Sequence, residues 1–198
     1  MDPVVRRAMA KWPDVPAVFG WLALDTRGNW LIRGERIGNS LLVEFIGRNY
    51  GCDDKGRWFF QNGPQRVFVT LAYTPWVLRA ADGATLCTHT GAPVRSVRGA
   101  WLDREGVLVL ETEHGPGIVD DRDVELLERR FVDATGAALD EDRLIELLER
   151  IQAGDEGALA FAHADGAVPV LPIRREEVPA RLGYEPEPKP LPGEQGAA

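Results

Sequence analysis

Three amide side chains and one guanidinium follow the aromatic run Trp58–Phe60 and form the most evident group of binding residues. A guanidinium can hold a carboxylate or phosphate through two parallel hydrogen bonds, and amides can orient the same ligand. The predicted ligand is a small anionic molecule or an unidentified protein. The alternative is an arginine paired with a nearby carboxylate and amides that satisfy the loop backbone. The candidate ligand-binding residues are Tyr50, Trp58, Gln61, Asn62, Gln65 and Arg66.

A second group with chemical potential is Cys87 with His89 in the segment LCTHTG. Strand alternation would place both side chains on one face, where a cysteine nucleophile needs a nearby base and a lowered thiol pKa. A strand with an inert thiol and an exposed imidazole is the simpler interpretation. We therefore assign no catalytic residue and keep a small hydrolase or transferase as the alternative function.

Other catalytic and cofactor signatures are missing from the sequence. It contains no P-loop, no dinucleotide-binding glycine motif, no Cys-x-x-Cys pair and no Gly-x-Ser-x-Gly nucleophile motif. The three histidines lack the spacing of metal ligands on a helix. We expect no metal and no cofactor.

Composition indicates an ordinary globular protein. The chain has 198 residues, of which 44% are hydrophobic and 27% are charged. No apolar run approaches the ~20 residues of a membrane span, and the N-terminus lacks the apolar core of a secretory signal. We expect a cytoplasmic protein without membrane contact. Two cysteines are too few for a disulfide framework and are expected to be reduced.

The net charge of −8 is concentrated in one region. Residues 120–156 contain 13 acidic and five basic residues, a local net charge of −8. Phosphates would be repelled there, so nucleic acid is not an expected partner. A predicted helix within this region, 140–152, has an apolar stripe at Leu144, Ile145, Leu148 and Ile151. Burial of Leu144, Leu148 and Ile151 across a homodimer would make the protein a structural subunit, which is a further alternative.

The sequence also contains a repeated turn motif that positions these residues. Asp25, Asp53 and Asp103 each precede a glycine by three residues, and apolar runs flank each turn. Such a spacing favours a β-hairpin, because aspartate accepts the turn amides and glycine takes the left-handed conformation. For residues 60–67, Asn62-Gly63 predicts a further hairpin turn, widened by Pro64.

The repeat extends beyond the hairpins. Residues 36–51 and 117–136 each predict a helix, the first capped by Asn39 or Ser40 and ended by Gly51. A shift of 81 residues aligns the two, pairing Tyr50 with Phe131. The second half adds the helix at 140–152 and a fourth hairpin at 158–173, which turns at Asp165-Gly166. Pro169 and Pro172 predict an edge position for its return strand.

These elements predict an α+β fold of mainly antiparallel β-hairpins with short helices, in two lobes related by internal duplication. The N-terminal lobe would span residues 12–82 (hairpin, helix, hairpin) and the C-terminal lobe residues 85–183 (hairpin, two helices, hairpin). Residues 184–198, rich in proline and charge, are expected to be a disordered tail.

The segment DTRGNWLIRGERIGNSLLVEFIGRNYGCDDKGRWFFQNGPQRVFVTL resembles uncharacterised proteobacterial domains of unknown function. Those families combine a D-G-x-W-x-x-x-G-x-P-I motif, a short apolar helix and a D-x-x-G-x-Y/W-W/F-L motif. The resemblance covers residues 18–80 well, although Arg36 replaces the proline. It implies a two-lobed α+β protein with repeated motifs and a suggested part in signal transduction. We therefore expect a non-enzymatic binding or sensing adaptor.

Overall fold

Two β-sheets divide the chain into two units. The structure is a computed structural model that describes residues 1–12, 15–81, 85–164, 166–194 and 196–197. The first unit comprises Met1–Pro75 with Gly183–Ala198, and the second comprises Trp76–Leu182. The predicted boundary near residue 82 therefore falls seven residues later than the observed one, and the end of the chain returns to the first unit.

Short helices accompany the sheets. In the first unit α1 is Pro3–Lys11 and α2 is Ser40–Arg48; in the second, α3 is Val124–Leu127, α4 is Glu141–Gln152 and α5 is Val178–Leu182. The caps of the two longest internal helices follow from sequence. Asn39 Oδ1 accepts the N–H of Leu42 at 3.1 Å, and Asp140 Oδ1 accepts that of Arg143 at 2.8 Å.

The first sheet has seven strands, and six of them form a continuous path in the order β3-β2-β1-β6-β5-β4. β1 and β6 are parallel, and the other neighbours on this path are antiparallel. The seventh strand, β15, pairs with β1 in parallel. The strand bounds are β1 Ala17–Leu24, β2 Trp30–Ile32, β3 Glu35–Arg36, β4 Tyr50–Cys52, β5 Trp58–Asn62, β6 Gln65–Leu71 and β15 Gly196–Ala197.

The second sheet has eight strands in the order β12-β13-β14-β9-β10-β11-β7-β8. The pairs β14–β9 and β11–β7 are parallel, and the other neighbours are antiparallel. The strand bounds are β7 Trp76–Ala81, β8 Thr85–Thr88, β9 Val97–Leu102, β10 Leu108–Thr112, β11 Gly115–Val119, β12 Phe131–Asp133, β13 Leu159–His163 and β14 Gly166–Pro172.

The two sheets have one topology. Replacing β1 to β6 by β9 to β14 in order converts the path of the first sheet into that of the second, which then continues through β7 and β8. The register agrees as well, since Tyr50 lies opposite Phe60 and Phe131 lies opposite Phe161. The predicted α+β fold, the internal duplication and the alignment of Tyr50 with Phe131 are confirmed. The extra helix of the second copy is α4, between β12 and β13.

The three predicted aspartate turns share one backbone geometry. In each, the Oδ1 atom of the aspartate accepts the N–H groups two and four residues later, at 2.8–3.0 Å. The glycine three residues after it donates to the aspartate carbonyl with φ between 75° and 82°. A fourth turn at Asp133, which the sequence analysis missed, has the same bonds and Gly136 at φ 85°.

The helix predicted over residues 117–136 is wrong at both ends. Residues up to Val119 belong to β11, and Phe131 begins β12. Only α3 and the flanking 3₁₀ turns Asp121–Asp123 and Glu128–Arg130 are helical. In the first unit the helix ends at Arg48, so Gly51 lies in β4 instead of ending it. In both places pairing with the next strand takes residues from the end of the helical pattern.

The return strand of the fourth hairpin is central, not at an edge as predicted. β14 lies between β13 and β9, but its ladder with β13 ends at Pro169 and its ladder with β9 starts at Val170. Successive N–H groups point to opposite sides of a strand. Because Ile173 donates to Leu102 O in β9, the nitrogen of Pro172 faces the β13 side, beyond that ladder. Asp165 of the predicted turn is outside the described residues.

The expected disordered tail packs on the first unit as far as it is described, up to Glu194 and again at 196–197. Tyr184 is buried, and the N–H of Glu185 donates to Gly56 O at 2.9 Å. Pro186 O accepts the N–H of Leu71 at 2.8 Å. The segment has too few apolar residues for a core of its own, but it adds to a sheet that already exists.

Helix α4 uses its apolar stripe inside the second unit. Leu144, Leu147 and Ile151 are buried, and the helix packs on β14 and β9. Ile145, predicted to belong to the stripe, is 48% exposed, because the buried side of the helix includes Leu147 instead. The stripe proposed for a homodimer therefore contributes to the core of one chain.

Among the residues with described positions, no helix has the length and hydropathy to cross a bilayer.

Candidate functional site

The hairpin of β5 and β6 divides the predicted binding residues between two faces of the first sheet. Gln61 pairs with Arg66 and Asn62 pairs with Gln65, and the turn between the strands is Gly63-Pro64. Neighbouring residues of a strand point to opposite faces. Gln61 and Arg66 therefore share one face, and Asn62 and Gln65 share the other. The expectation that Pro64 widens the loop is wrong, because this is a two-residue turn with Gly63 at φ 57°.

Tyr50 and Trp58 lie on the face of Asn62. Their rings are 5.0 Å apart between centroids, and the Tyr50 hydroxyl donates to Pro75 O at 3.1 Å. Trp58, Phe59 and Phe60 are all at most 7% exposed, which confirms that both faces of β5 are covered. The two aromatic residues predicted to form ligand walls are core residues and are not on the face of Arg66.

Gln61 has an unusual environment for an amide. Its side chain is 1% exposed, and its Nε2 donates to Gly63 O at 3.0 Å. The Oε1 atom is also buried, but no described residue donates a hydrogen bond to it. A buried acceptor without a donor lowers stability by about 1–3 kcal/mol. This oxygen is the polar atom of the first unit that most needs a partner.

Arg66 lies beside Gln61 on the adjacent strand. Its guanidinium carbon is 4.7 Å from the Phe59 ring centroid, which is a cation–π contact. Within the part of the chain that the structure describes, no carboxylate forms an ion pair with it. The alternative sequence interpretation, in which a neighbouring carboxylate pairs with Arg66, is not what the structure shows.

Arg57 is the arginine that carries the strong ion pairs on this face. Its guanidinium donates to both carboxylate oxygens of Glu194 at 2.7 Å, and its Nε donates to Asp53 Oδ2 at 2.8 Å. These bonds from Arg57, together with the N–H of Leu191, lower the pKa of Glu194 to about 2. Sequence analysis missed Arg57, although its place four residues after Asp53 is the one clue.

A cavity of about 700 Å³ lies on the Gln61 face, and we call it the Gln61 cavity. Its polar lining comes from Gln61, Arg66 and Glu194, while Trp12 and Phe68 supply aromatic surface. The cavity thus combines an acceptor, a cation and an anion with apolar walls. The remaining lining residues are Met9, Val15, Pro16, Ala17, Pro64 and Gly193.

A second cavity of about 530 Å³ lies on the opposite face, beside helix α2, and we call it the apolar cavity. Its only polar lining residues among those described are Asn62 and Gln65. Gln65 Nε2 donates to Pro16 O at 3.1 Å, so the Gln65 carbonyl remains as an acceptor. The apolar lining residues are Val18, Trp21, Leu22, Ile32, Leu42, Ile46, Phe60 and Val67.

Trp21 and Arg33 mark the rim of the apolar cavity. Trp21 is 39% exposed and Ile32 is 42% exposed, which is unusual for large apolar side chains. The Arg33 guanidinium carbon lies 3.8 Å from the Trp21 ring centroid. Sequence analysis did not select these residues, because β1 reads as an ordinary strand and only the fold shows which of its side chains stay accessible.

The structure gives the Cys87–His89 pair no site-like geometry. Strand β8 ends at Thr88, so His89 is in the following turn and the strand alternation does not extend to it. His89 Nδ1 accepts the N–H of Val77 at 3.3 Å, and its ring faces Trp76. An enzymatic role remains an untested alternative. The described residues also contain no cluster of three or more histidine, cysteine or acidic side chains that could hold a metal.

Glu113, an acidic residue near His114, has a structural role. Its carboxylate accepts the N–H groups of Arg95 at 2.6 Å and Ser96 at 3.1 Å. Burial opposes ionisation of the carboxyl, but these hydrogen bonds outweigh it and lower the pKa of Glu113. The residue fixes the chain that enters β9.

The comparison with protein families covers nearly the whole chain. The model of family DUF2944, described as "Protein of unknown function (DUF2946)", matches residues 1–189. The chain belongs to this family. No curated protein matches the chain.

Two solved structures share its architecture. A DUF1285 family protein from Silicibacter pomeroyi DSS-3 is 12% identical with a TM-score of 0.52, covering 90% of this chain and 98% of its own. A DUF1285 family protein from Shewanella baltica OS155 is 18% identical with a TM-score of 0.39, covering 55% of this chain and 87% of its own. At 12% identity, the likeness to the first shows a shared fold alone.

Proposed function

We propose that the protein is a non-enzymatic, cytoplasmic binding or sensing adaptor whose first unit holds a small, mainly apolar ligand in the apolar cavity. The observation that supports this is the composition of the cavity wall: eight apolar residues and two amides around about 530 Å³. Ligand sites are typically concave and apolar, with a few polar groups that set orientation.

The cavity is built on elements that are held firmly. Its floor includes Leu22 and Phe60 from strands of the sheet, and Ile46 of α2 is 1% exposed. By contrast, Trp21 and Ile32 at the rim are partly exposed. A ligand that covers these two side chains would remove apolar surface from water at about 25 cal/mol per Å². This gain is the proposed source of affinity.

The two amides would orient the polar end of the ligand. The Asn62 side chain is exposed and forms no hydrogen bond to a described residue, and the Gln65 Oε1 atom can accept one. A ligand with one hydroxyl or amide beside an apolar body would satisfy both. A ligand with several charges would not, since the remaining lining residues are apolar.

The test is a titration with aminoanthracene, an uncharged fluorophore whose emission rises in apolar sites. We expect saturable binding to the parent protein. Leu42→Trp places a larger side chain in the cavity and should weaken binding by about tenfold or more.

The matched control is Leu41→Trp. Leu41 precedes Leu42 in α2, is 74% exposed and is not part of the cavity wall. Circular dichroism would check that both variants fold. Equal binding by the two variants, or no saturable binding by the parent, would contradict the proposal.

A further inference from the structure

We propose that the Gln61 cavity is a second ligand site of the first unit, and that it binds small zwitterions of the amino-acid type with an apolar side chain. It lies on the sheet face opposite the apolar cavity, so it does not depend on the function proposed above. Three features of the cavity wall define the ligand: a buried acceptor, an unpaired cation and an apolar surface.

The acceptor is Gln61 Oε1. It lines the cavity on a side chain that is 1% exposed, and no described residue donates to it. The Nε2 atom of the same amide is bound to Gly63 O, which fixes the orientation of the group. An N–H donor of a ligand would supply the missing hydrogen bond. A buried oxygen that is held in place and lacks a donor selects for such a group.

The cation is Arg66. It pairs with Gln61 across β5 and β6, and its guanidinium rests on the Phe59 ring without an ion pair to any described carboxylate. A ligand carboxylate can take both of its parallel N–H groups. The acceptor and the cation therefore call for a donor and a carboxylate on one small molecule.

Glu194 makes the donor more specific. Its carboxylate lines the same cavity and stays ionised because Arg57 binds both of its oxygens. A positively charged ammonium near Gln61 would gain from this anion, whereas a second carboxylate would be repelled. Glu194 also occupies Arg57, so Arg66 is the guanidinium left for the ligand. The charge pattern thus fits a zwitterion better than a simple anion.

The apolar part of the wall provides space for a side chain. Trp12 is 51% exposed, and Phe68 forms the inner surface next to Phe19, with ring centroids 4.6 Å apart. Met9 adds a flexible thioether. Aromatic and thioether surface of this kind favours leucine-like or phenylalanine-like side chains over charged ones.

The experiment is isothermal titration calorimetry of the full chain with leucine and phenylalanine. Two analogues separate the charges: phenylalanine amide lacks the carboxylate, and N-acetylphenylalanine lacks the ammonium. We expect the parent to bind at least one amino acid, and both analogues to bind about tenfold more weakly or worse. Failure of both amino acids to bind, or equal binding of the analogues, would overturn the proposal.

Variants locate the site. Gln61→Met keeps the size of the side chain and removes the acceptor, and Arg66→Gln removes the cation from an exposed position where folding is not at risk. Both should lose amino-acid binding. Arg36→Gln, an exposed residue on edge strand β3, should retain it. Leu42→Trp, which fills the other cavity, should retain it too. Unchanged binding in Arg66→Gln would refute the assignment even if the Gln61 variant failed to fold.

Discussion

The two copies of the repeated unit differ most at one pair of residues. Asn62 and Gln65 close the first hairpin and His163 and Gly166 close the second, so Gln61 corresponds to Ala162 and Arg66 to Ala167. The sheet forms equally well with two alanines. The amide and the guanidinium of the first copy are therefore not needed for the fold, and a buried acceptor without a donor is a cost that only the first copy carries.

The turns that follow β4 and β12 show a second difference. Both place an aspartate before a glycine, but the fifth residue is Arg57 in the first unit and Ala137 in the second. Arg57 binds the C-terminal segment through Glu194, whereas Ala137 has no side-chain hydrogen bond to offer. One substitution in an otherwise shared turn thus allows the chain end to dock on the first unit.

Arg57→Leu should have the largest effect on stability. It leaves the carboxylate of Asp53, which is 6% exposed, without its guanidinium, and a broken buried pair typically costs about 3 kcal/mol. Urea denaturation measures the free energy of unfolding. The control Arg150→Leu removes an exposed pair with Asp155 and should cost less than about 1 kcal/mol. Similar losses in the two variants would show that the Arg57 pair is not special.

Asp103→Ala should destabilise the protein by about 2 kcal/mol, because the N–H groups of Glu105 and Val107 lose their acceptor in a buried turn. Asp25 occupies the corresponding turn of the first copy and is partly exposed, so water can replace its carboxylate. Asp25→Ala should therefore cost about 1 kcal/mol or less. A larger loss at Asp25 would contradict this ranking.

Gln61→Met should change the free energy of unfolding by less than about 1 kcal/mol, because removing the unpaired acceptor offsets the lost bond to Gly63. The reciprocal change, Ala162→Gln, should destabilise the second unit by about 1 kcal/mol, since it adds a polar group to a half-buried strand position. A strongly destabilised Gln61→Met would mean that the amide is structural.

The smallest effect is a pH dependence of the C-terminal segment. The pKa of Glu194 in the folded chain, about 2, is below the ordinary glutamate value. Its ionised form therefore stabilises docking above the ordinary value, and this contribution is lost as the pH falls through about 2. The amide proton of Leu191, which donates to Glu194 at 3.0 Å, should report this titration by NMR. Arg57→Leu should move the midpoint upward; an unchanged midpoint would exclude Arg57 as the cause.

Turn chemistry was predictable because it is local. Asp25, Asp53 and Asp103 bond to amides only two and four residues away, so a short pattern carries the information. The duplication followed from the same pattern and from one helix cap at Asn39. The second helix was predicted too long, since Phe131 fits a helical stripe and a strand equally well. Its pairing with Phe161, 30 residues later, decided between them.

The candidate site was less predictable. The sequence selected Gln61 and Arg66, which the structure brings together, but it also selected Tyr50 and Trp58, which lie on the other face in the core. Strand alternation separates Gln61 from Asn62, although they are adjacent in sequence. The cavity walls at Trp12 and Glu194 come from distant parts of the chain, and no local pattern connects them with the hairpin.

The amino-acid sequence alone determined the turns, the α+β class and the duplicated hairpin units, because hydrogen bonds between near neighbours and apolar periodicity fix them. Only the tertiary structure decided that Arg57 binds Glu194, that Gln61 keeps a buried oxygen without a donor, and that the cavities lie on opposite faces. These features depend on contacts across 137 residues in the case of Arg57 and Glu194. Their energies come from burial and charge pairing, which exist only once the strands have assembled.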